Sequence, residues 1–358
     1  MENSKTNRQD SGTLQEILTQ PHAWRDSLRT FKVSPVLETV LDKTSPQQEW
    51  LFVGCGTSFY LAEAAAASWN LLTGEPARAL PASEILLFPS LHLPPGANLQ
   101  TVLISRSGST SETVRAAAAL KNEHGIPTLG LTCSPNSPLE SACERTIRIS
   151  SAEEASMVMT RSFASMLLLM QYLAGIRAGA KDFCASLEAL ADRFDTTLPT
   201  FSENVRAFTS HRSFSDYIFL GQGPFQGIAR EASLKLTEMS CSYSQSYHTL
   251  EFRHGPKTIV SPDTCLTFFI SESGKDAECE VLAEMKALGG VIIAVCNRAN
   301  KTIRSHSDLV LELELDCQEL ASLAPSVVPA QLLGCYTAFH KGLNPDSPRN
   351  LSRVVLLD

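Results

Sequence analysis

Residues Trp50–Leu72 read WLFVGCGTSFYLAEAAAASWNLL. WLFVG makes a short apolar strand, GCGTS is a turn of small residues, and the alanine-rich remainder is a helix. Downstream, TVLIS is a second strand, GSTSETVRAAAALKNEHG a helix stopped by Gly125, and IPTLGLT a third strand. Strands alternating with helices in this way predict βαβ units around a parallel sheet. The same order then recurs. VGCGTS at Val53–Ser58 is answered by LGQGPF at Leu220–Phe225, ISRSG at Ile104–Gly108 by ISESG at Ile270–Gly274, and GIPTLGLTC at Gly125–Cys133 by GGVIIAVCN at Gly289–Asn297. The steps from Val53 to Leu220, from Ile104 to Ile270 and from Gly125 to Gly289 are nearly equal, and near-constancy across three separate segments identifies an internal duplication. The fold class expected is α/β: two tandem copies of a doubly wound, mostly parallel sheet flanked by helices, a three-layer αβα arrangement.

Around this repeat, residues 1–13 read as a loose tail and 14–45 as one or two amphipathic helices with a break at Pro35, so that residues 1–45 precede the first copy. The copies are expected over 46–195 and 196–345, joined by a long helical stretch from Arg161 to Ser210. A last helix, about Pro329–Lys341, leads into an irregular tail over 346–358. The chain has 358 residues, 43% of them hydrophobic and 19% charged, which suits two packed cores and excludes disorder. Its net charge of −8 removes the general attraction to phosphate backbones and anionic membranes, so neither nucleic acid nor a membrane is an expected partner. Ten cysteines are scattered without a C-x-x-C pair, the pattern of reduced thiols in a cytoplasm rather than a disulfide framework or a zinc site. The polar N-terminus lacks a signal peptide's apolar stretch. The apolar run Phe163–Ile176 is interrupted by Gln171 and falls short of the roughly 20 residues a membrane span needs.

Four segments carry the candidate chemistry. SRSGSTSET, Ser105–Thr113, sits between a strand and a helix, where unpaired N–H groups and the helix dipole favour an anion. A capping box at Ser109-x-x-Glu112 is the alternative; the excess of hydroxyls at Ser105, Ser107, Ser109 and Thr110 favours phosphate. GCGTS lacks the third glycine of a dinucleotide fingerprint and alone reads as a tight turn. At the carboxyl edge of a neighbouring strand, Thr57 and Ser58 are in place to share a ligand with the serine loop. In PFQGIAREASLKLTEMS, the row Glu231, Lys235 and Glu238 flanks a core stripe of Ile228, Ala232, Leu236 and Met239. An exposed Glu–Lys row is the ordinary reading; beside the apolar face it becomes a cleft-rim base. In TLEFRHGPKT, the Gly255-Pro256 turn presents His254 rigidly, and Glu251-x-x-His254 lacks the further ligands a metal needs. No metal and no cofactor are expected. No Walker loop, nucleophile elbow or H-E-x-x-H occurs.

Taken in order, CGTS (Cys55–Ser58), S-x-SGxT (Ser105–Thr110), EASLKLTEMS (Glu231–Ser240), EFRHGP (Glu251–Pro256) and SPRNLSRVV (Ser347–Val355) resemble the sugar isomerase (SIS) domain family. The resemblance runs from Trp50 to the C-terminus and includes the isomerase half of glucosamine-6-phosphate synthase and the stand-alone amino-sugar-phosphate deaminases. It implies that Ser105, Ser107 and Thr110, with Ser58, hold a sugar 6-phosphate. Glu238 would move a proton between C1 and C2, assisted by Lys235, and His254 would open the ring, acting from the neighbouring subunit of a homodimer with shared sites. Cys55, Gly56, Thr57, Arg106, Met157, Ser352 and Arg353 complete the expected substrate-binding set. Two departures shape the expectation. The first strand already begins at Trp50, residue 2 is Glu2 and the first cysteine is Cys55, so glutamine hydrolysis by an N-terminal cysteine is not expected. Arg353 stands where the synthase has a lysine that forms a Schiff base, and a guanidinium is a poor amine nucleophile. With AEEASMVMTRSFASM (Ala152–Met166) resembling the stand-alone enzymes, the expected activity is isomerising deamination of an amino-sugar 6-phosphate. A fructosamine-6-phosphate deglycase or other phosphosugar isomerase, and a non-catalytic phosphosugar sensor, are the alternatives.

Overall fold

The computed structural model describes residues 11–37 and 49–357. Two five-stranded sheets, every adjacent strand pair parallel, account for the repeat. The first holds β1 (Glu49–Gly54), β2 (Ala77–Pro81), β3 (Leu99–Ile104), β4 (Thr128–Thr132) and β5 (Arg145–Arg148) in the order β2-β1-β3-β4-β5. The second holds β6 (Asp216–Gly221), β7 (Ser244–His248), β8 (Thr264–Ile270), β9 (Val291–Cys296) and β10 (Leu309–Glu312) in the order β7-β6-β8-β9-β10. The register repeats as well. Val53 lies opposite Leu80 and Leu103, and its counterpart Leu220 opposite Tyr247 and Phe268.

The central strands are buried along almost their whole length, as expected of parallel strands covered on both faces; β8, TCLTFFI, is buried at every position. Of the edge strands, RTIR and SQSYH are mostly polar, and ARALP and LVLE are short and mostly half-buried, which is why no long apolar run marks them in the sequence. Helices cover the sheets: α1 (Gly12–Leu18), α2 (Gln20–Lys32), α3 (Thr57–Thr73), α4 (Ala82–Leu87), α5 (Pro89–His92), α6 (Ser111–Asn122), α7 (Pro138–Ala142), α8 (Arg161–Ala178), α9 (Lys181–Ser210), α10 (Phe225–Ser240), α11 (Lys275–Ala287), α12 (Lys301–His306) and α13 (Leu323–His340). The chain forms two compact units. One contains the first sheet and comprises His22–Glu154, Arg161–Glu188 and Ser352–Asp358; the other contains the second sheet and comprises the residues up to Pro21, Ala155–Thr160 and Ala189–Leu351.

Three expectations need correction. Residues 11–13 are not loose: Asp346 accepts from Ser11 Oγ and from the Thr13 N–H, both at 2.8 Å, and Ser11 Oγ in turn accepts the Leu14 N–H to cap α1. The remainder of the expected tail, and residues 38–48 of the expected N-terminal helices, lie outside the described residues; α2 ends at Lys32, just before Pro35. The long helical stretch is two helices, interrupted where Gly179 takes φ +68°. The last helix begins at Leu323 and carries Pro329 inside it. Its residues 323–338 are all buried, and that apolar burial outweighs the backbone hydrogen bond Pro329 removes.

Both G-x-G turns have one physical cause. A Cβ on Gly54 would sit 2.5 Å from the Ser58 carbonyl, and one on Gly221 would sit 2.3 Å from the Phe225 carbonyl, so backbone of the following helix passes where a side chain would be. At the second glycine of each motif, Gly56 and Gly223 take φ +54° and +55°. The motif is a strand-to-helix turn in both halves. Gly221→Ala is expected to cost about 1–3 kcal/mol by overpacking; an unchanged urea midpoint would show that the helix backbone has room to move.

Candidate functional site

In the first unit, the carboxyl ends of β1 and β3 are neighbours, and strand order reverses between them, the place where open α/β sheets bind ligands. Thr57 and Ser58 begin α3 and are buried. Cys55 Sγ lies 3.6 Å from Thr113 Oγ1 of α6, tying the two loops together; burial pushes the thiol's pKa up, so it stays protonated. The serine loop is tightly folded. Gly108, at φ +61°, donates its N–H to Ser105 Oγ (3.1 Å), Ser105 Oγ meets Thr110 Oγ1 at 3.3 Å, and the Ser109 N–H donates to Ser107 Oγ (3.2 Å). The capping box does not form: the N-cap of α6 is Thr110, and it makes no side-chain cap bond. The loop hydroxyls are therefore not consumed as a helix cap.

Arg106 is buried, its guanidinium 3.5 Å from the fully buried Glu154 carboxylate and 3.4 Å from the Arg353 carbonyl. Arg353 in turn donates to the Glu153 carboxylate (3.1 Å) and to the Glu154 carbonyl. The tail then crosses the start of α6, where the Val355 carbonyl accepts the Ser111 N–H at 3.3 Å and Leu357 N–H donates to Ser111 Oγ at 3.0 Å. Glu153 and Glu154, which the sequence reading did not single out, thus anchor both arginines; their one sequence signal is an acidic pair just beyond β5. Ser352 is exposed and its hydroxyl donates to the Val354 carbonyl. Met157 groups with the other unit.

In the second unit, α10 buries Glu231 completely and Lys235 to 1% exposure, while the Glu238 side chain keeps 16%. Lys235 Nζ is hydrogen-bonded to Glu238 and lies 3.6 Å from Glu231. The row is therefore a buried charge cluster with one carboxylate reaching solvent, not an exposed ion-pair face. Behind it, α13 packs so closely that a Cβ on Gly334 would stand 3.1 Å from the Lys235 carbonyl. The His254 loop is anchored by Phe252, which is fully buried and tilted against Tyr247 at 5.4 Å, and by Arg253 and Lys257, which grip Glu284 at 2.7 and 2.6 Å. His254 itself is exposed, and among the described residues its ring has no hydrogen-bonding partner.

The carboxyl end of β8 carries ISESG, the counterpart of the serine loop. There Glu278, from α11, accepts the Ser271 N–H and Oγ, both at 2.8 Å. Burial raises the pKa of Glu278 to about 7, outweighing the lowering by those two hydrogen bonds.

The SIS domain family matches residues 45–175 and 215–341, one match over each sheet. The chain belongs to the SIS domain family. Its relatives include the isomerizing glutamine–fructose-6-phosphate aminotransferase of Methanothermobacter thermautotrophicus, 26% identical over 98% of this chain. The chain spans 58% of that relative's length. Among solved structures, glucosamine-6-phosphate deaminase of Thermotoga maritima is 28% identical, covers 97% of this chain and 100% of its own, and superposes with a TM-score of 0.79. Tagatose-6-phosphate ketose/aldose isomerase of Escherichia coli, at 22% identity, 95% coverage of each chain and TM-score 0.84, shares the fold. Among the described residues, no helix of this SIS protein is long and apolar enough to cross a membrane.

Two variants test these electrostatics. Lys235→Met leaves two carboxylates without their buried cation and is expected to cost about 3–5 kcal/mol in chemical denaturation; a loss under about 1 kcal/mol would mean that water screens the cluster. For Glu278, the folded pKa lies above the ordinary value of 4.5. Its contribution is thus fully present below about pH 4.5 and declines as pH rises to about 7, by an amount of about 3 kcal/mol at most. Glu278→Gln should remove that decline, gaining stability relative to wild type across this window; parallel pH profiles would refute the assignment.

Proposed function

We propose that this SIS protein is a phosphosugar enzyme that isomerises and deaminates an amino-sugar 6-phosphate, converting glucosamine 6-phosphate and water to fructose 6-phosphate and ammonia. The observation that carries the reading is the Glu231–Lys235–Glu238 cluster, in which a buried ammonium holds the one carboxylate that reaches solvent. The Thermotoga maritima deaminase, matched along its whole length, supports the choice of amine release.

In this reading the phosphate ester rests on the hydroxyls of Ser105, Ser107, Thr110 and Ser58, near the positive ends of the α3 and α6 dipoles. Arg106 serves at one remove, because its charge is already engaged by Glu154. Ring opening, assigned to His254, exposes the C1 aldehyde. Glu238 removes the C2 proton, giving an enolamine, and returns a proton to C1. C1 becomes a hydroxymethyl group and C2 an iminium ion; water adds at C2 and ammonia leaves. Lys235, hydrogen-bonded to Glu238, holds that carboxylate in place for the first transfer. No imine to the protein is needed, which fits a guanidinium at position 353.

The exposed ring of His254, without a hydrogen-bonding partner among the described residues and carried on a rigid loop, suits completion of a second subunit's site, so a homodimer is proposed. The cytoplasm is the proposed compartment, since all ten cysteines are unpaired thiols.

Purified protein given glucosamine 6-phosphate or galactosamine 6-phosphate, without glutamine, is expected to release ammonia, and Glu238→Gln to slow that release by about 10²–10⁴-fold. Silence on both substrates, with ketose formed from a phosphosugar lacking nitrogen, would make the protein a plain isomerase. Binding without turnover that Glu238→Gln leaves unchanged would make it a sensor.

A further inference from the structure

The two sheets place equivalent loops at equivalent edges, yet the loops are in opposite states. Ser105–Gly108 at the end of β3 and Ser271–Gly274 at the end of β8 hold matching places in the repeat, each next to the point where strand order reverses and each leading into a long helix. In the second loop the donors are already taken by a carboxylate of the chain itself. Glu319 Oε1 accepts the N–H groups of Glu272 (2.6 Å) and Ser273 (3.1 Å), and Oε2 accepts Ser273 Oγ (2.5 Å). Two successive backbone amides and a hydroxyl converging on one anionic group is the donor set that a phosphate ester's oxygens would use. Glu278 satisfies the remaining Ser271 donors, and Gly274 is required there because a Cβ would lie 2.8 Å from Ser271 Oγ and 2.9 Å from Glu278 Oε1.

Among the described residues, no carboxylate is seated on Ser107–Gly108 of the first loop, for a reason of charge. Glu153 and Glu154 follow β5 much as Glu319 follows β10, but Arg353 holds Glu153 and Arg106 holds Glu154. At the position of Arg106 the second loop has Glu272, whose carboxylate pairs with Lys275 at 2.6 Å. The exchange of an arginine for a glutamate removes the cation that would draw a neighbouring carboxylate off the loop.

We propose that Ser271–Gly274 is a second anion receptor, of the phosphate-ester class, kept shut by Glu319, so that each chain takes one phosphate ester where its duplicated architecture offers two places. Glu319 opens the 3₁₀ turn Glu319–Ser322 that leads directly into α13, so the same contact fastens the start of that helix to the edge of β8. The count of one rests on the proposed phosphate role of Ser105–Thr110; the blockage of the second loop does not.

Calorimetric titration with inorganic phosphate tests both parts. Wild type is expected to bind one phosphate per chain, lost in Ser107→Ala. Glu319→Ala should bind two, with the added site abolished by a further Ser273→Ala, and its melting temperature should rise more with phosphate than that of wild type. Glu319→Gln, which keeps the side chain's shape without its charge, should also gain the second site and covers the case in which Glu319→Ala does not fold. One phosphate per chain in both Glu319 variants, with a phosphate-dependent rise in melting temperature no greater than wild type's, overturns the proposal. Wild type binding none, with a single site appearing in the Glu319 variants, would refute the phosphate role of the first loop and leave the receptor in the second standing.

Discussion

The chemistry of both halves hangs on a steric constraint at one kind of turn. Where β1 runs into α3 and β6 into α10, the helix backbone passes so close to Gly54 and Gly221 that no Cβ fits. The second glycine, at positive φ, then turns the chain sharply enough to start a helix at the carboxyl edge of the sheet. This sets the first turn of α3, with Thr57 and Ser58, beside the end of β3. It also fixes where α10 begins, and so the helical phase that buries Glu231 and Lys235 while leaving Glu238 at the boundary with solvent. Substituting either glycine would move a site-bearing helix, not merely weaken a fold.

On that scaffold the two halves have diverged through the placement of charge. Burying an ammonium is tolerable only with close carboxylates, and Lys235 has two on its own helix. Burying Arg106 follows the same rule with a carboxylate from beyond β5. Each buried cation therefore fixes the position of the carboxylate it holds. Around Lys235 the one that reaches solvent is Glu238, the base of the proposed reaction. Around Arg106 and Arg353 the carboxylates of Glu154 and Glu153 are held away from the serine loop, which keeps its hydroxyls. In the second loop, where glutamate replaces arginine, Glu319 settles onto the backbone amides. In the proposed reading, a single duplicated design thus yields a proton-moving helix in one copy and an anion-holding loop in the other.

Much of this was legible in the sequence because it is local or periodic. The apolar runs of β1, β3, β4, β6, β8 and β9, the glycines of the turns and the even spacing of the repeat all follow from burial on both faces of a parallel sheet and from sterics between near neighbours. The row Glu231, Lys235, Glu238 was readable for the same reason, since helical spacing alone puts it on one stripe. Edge strands such as RTIR and SQSYH were not, because an edge strand is defined by the neighbour it pairs with rather than by its own apolarity. The early start of α13 escaped too: local rules stop a helix at proline, and only packing of its whole length overrides them.

By itself, then, the sequence determined the α/β class, the duplication, the turn chemistry and the residue types available for catalysis. Only the tertiary structure decided which charges meet. Arg106 pairs with Glu154 across 48 residues, Arg353 with Glu153 across 200, and Ser273 with Glu319 across 46. Such pairings depend on where distant segments return to the sheet edge, and no periodicity or short-range propensity records that path.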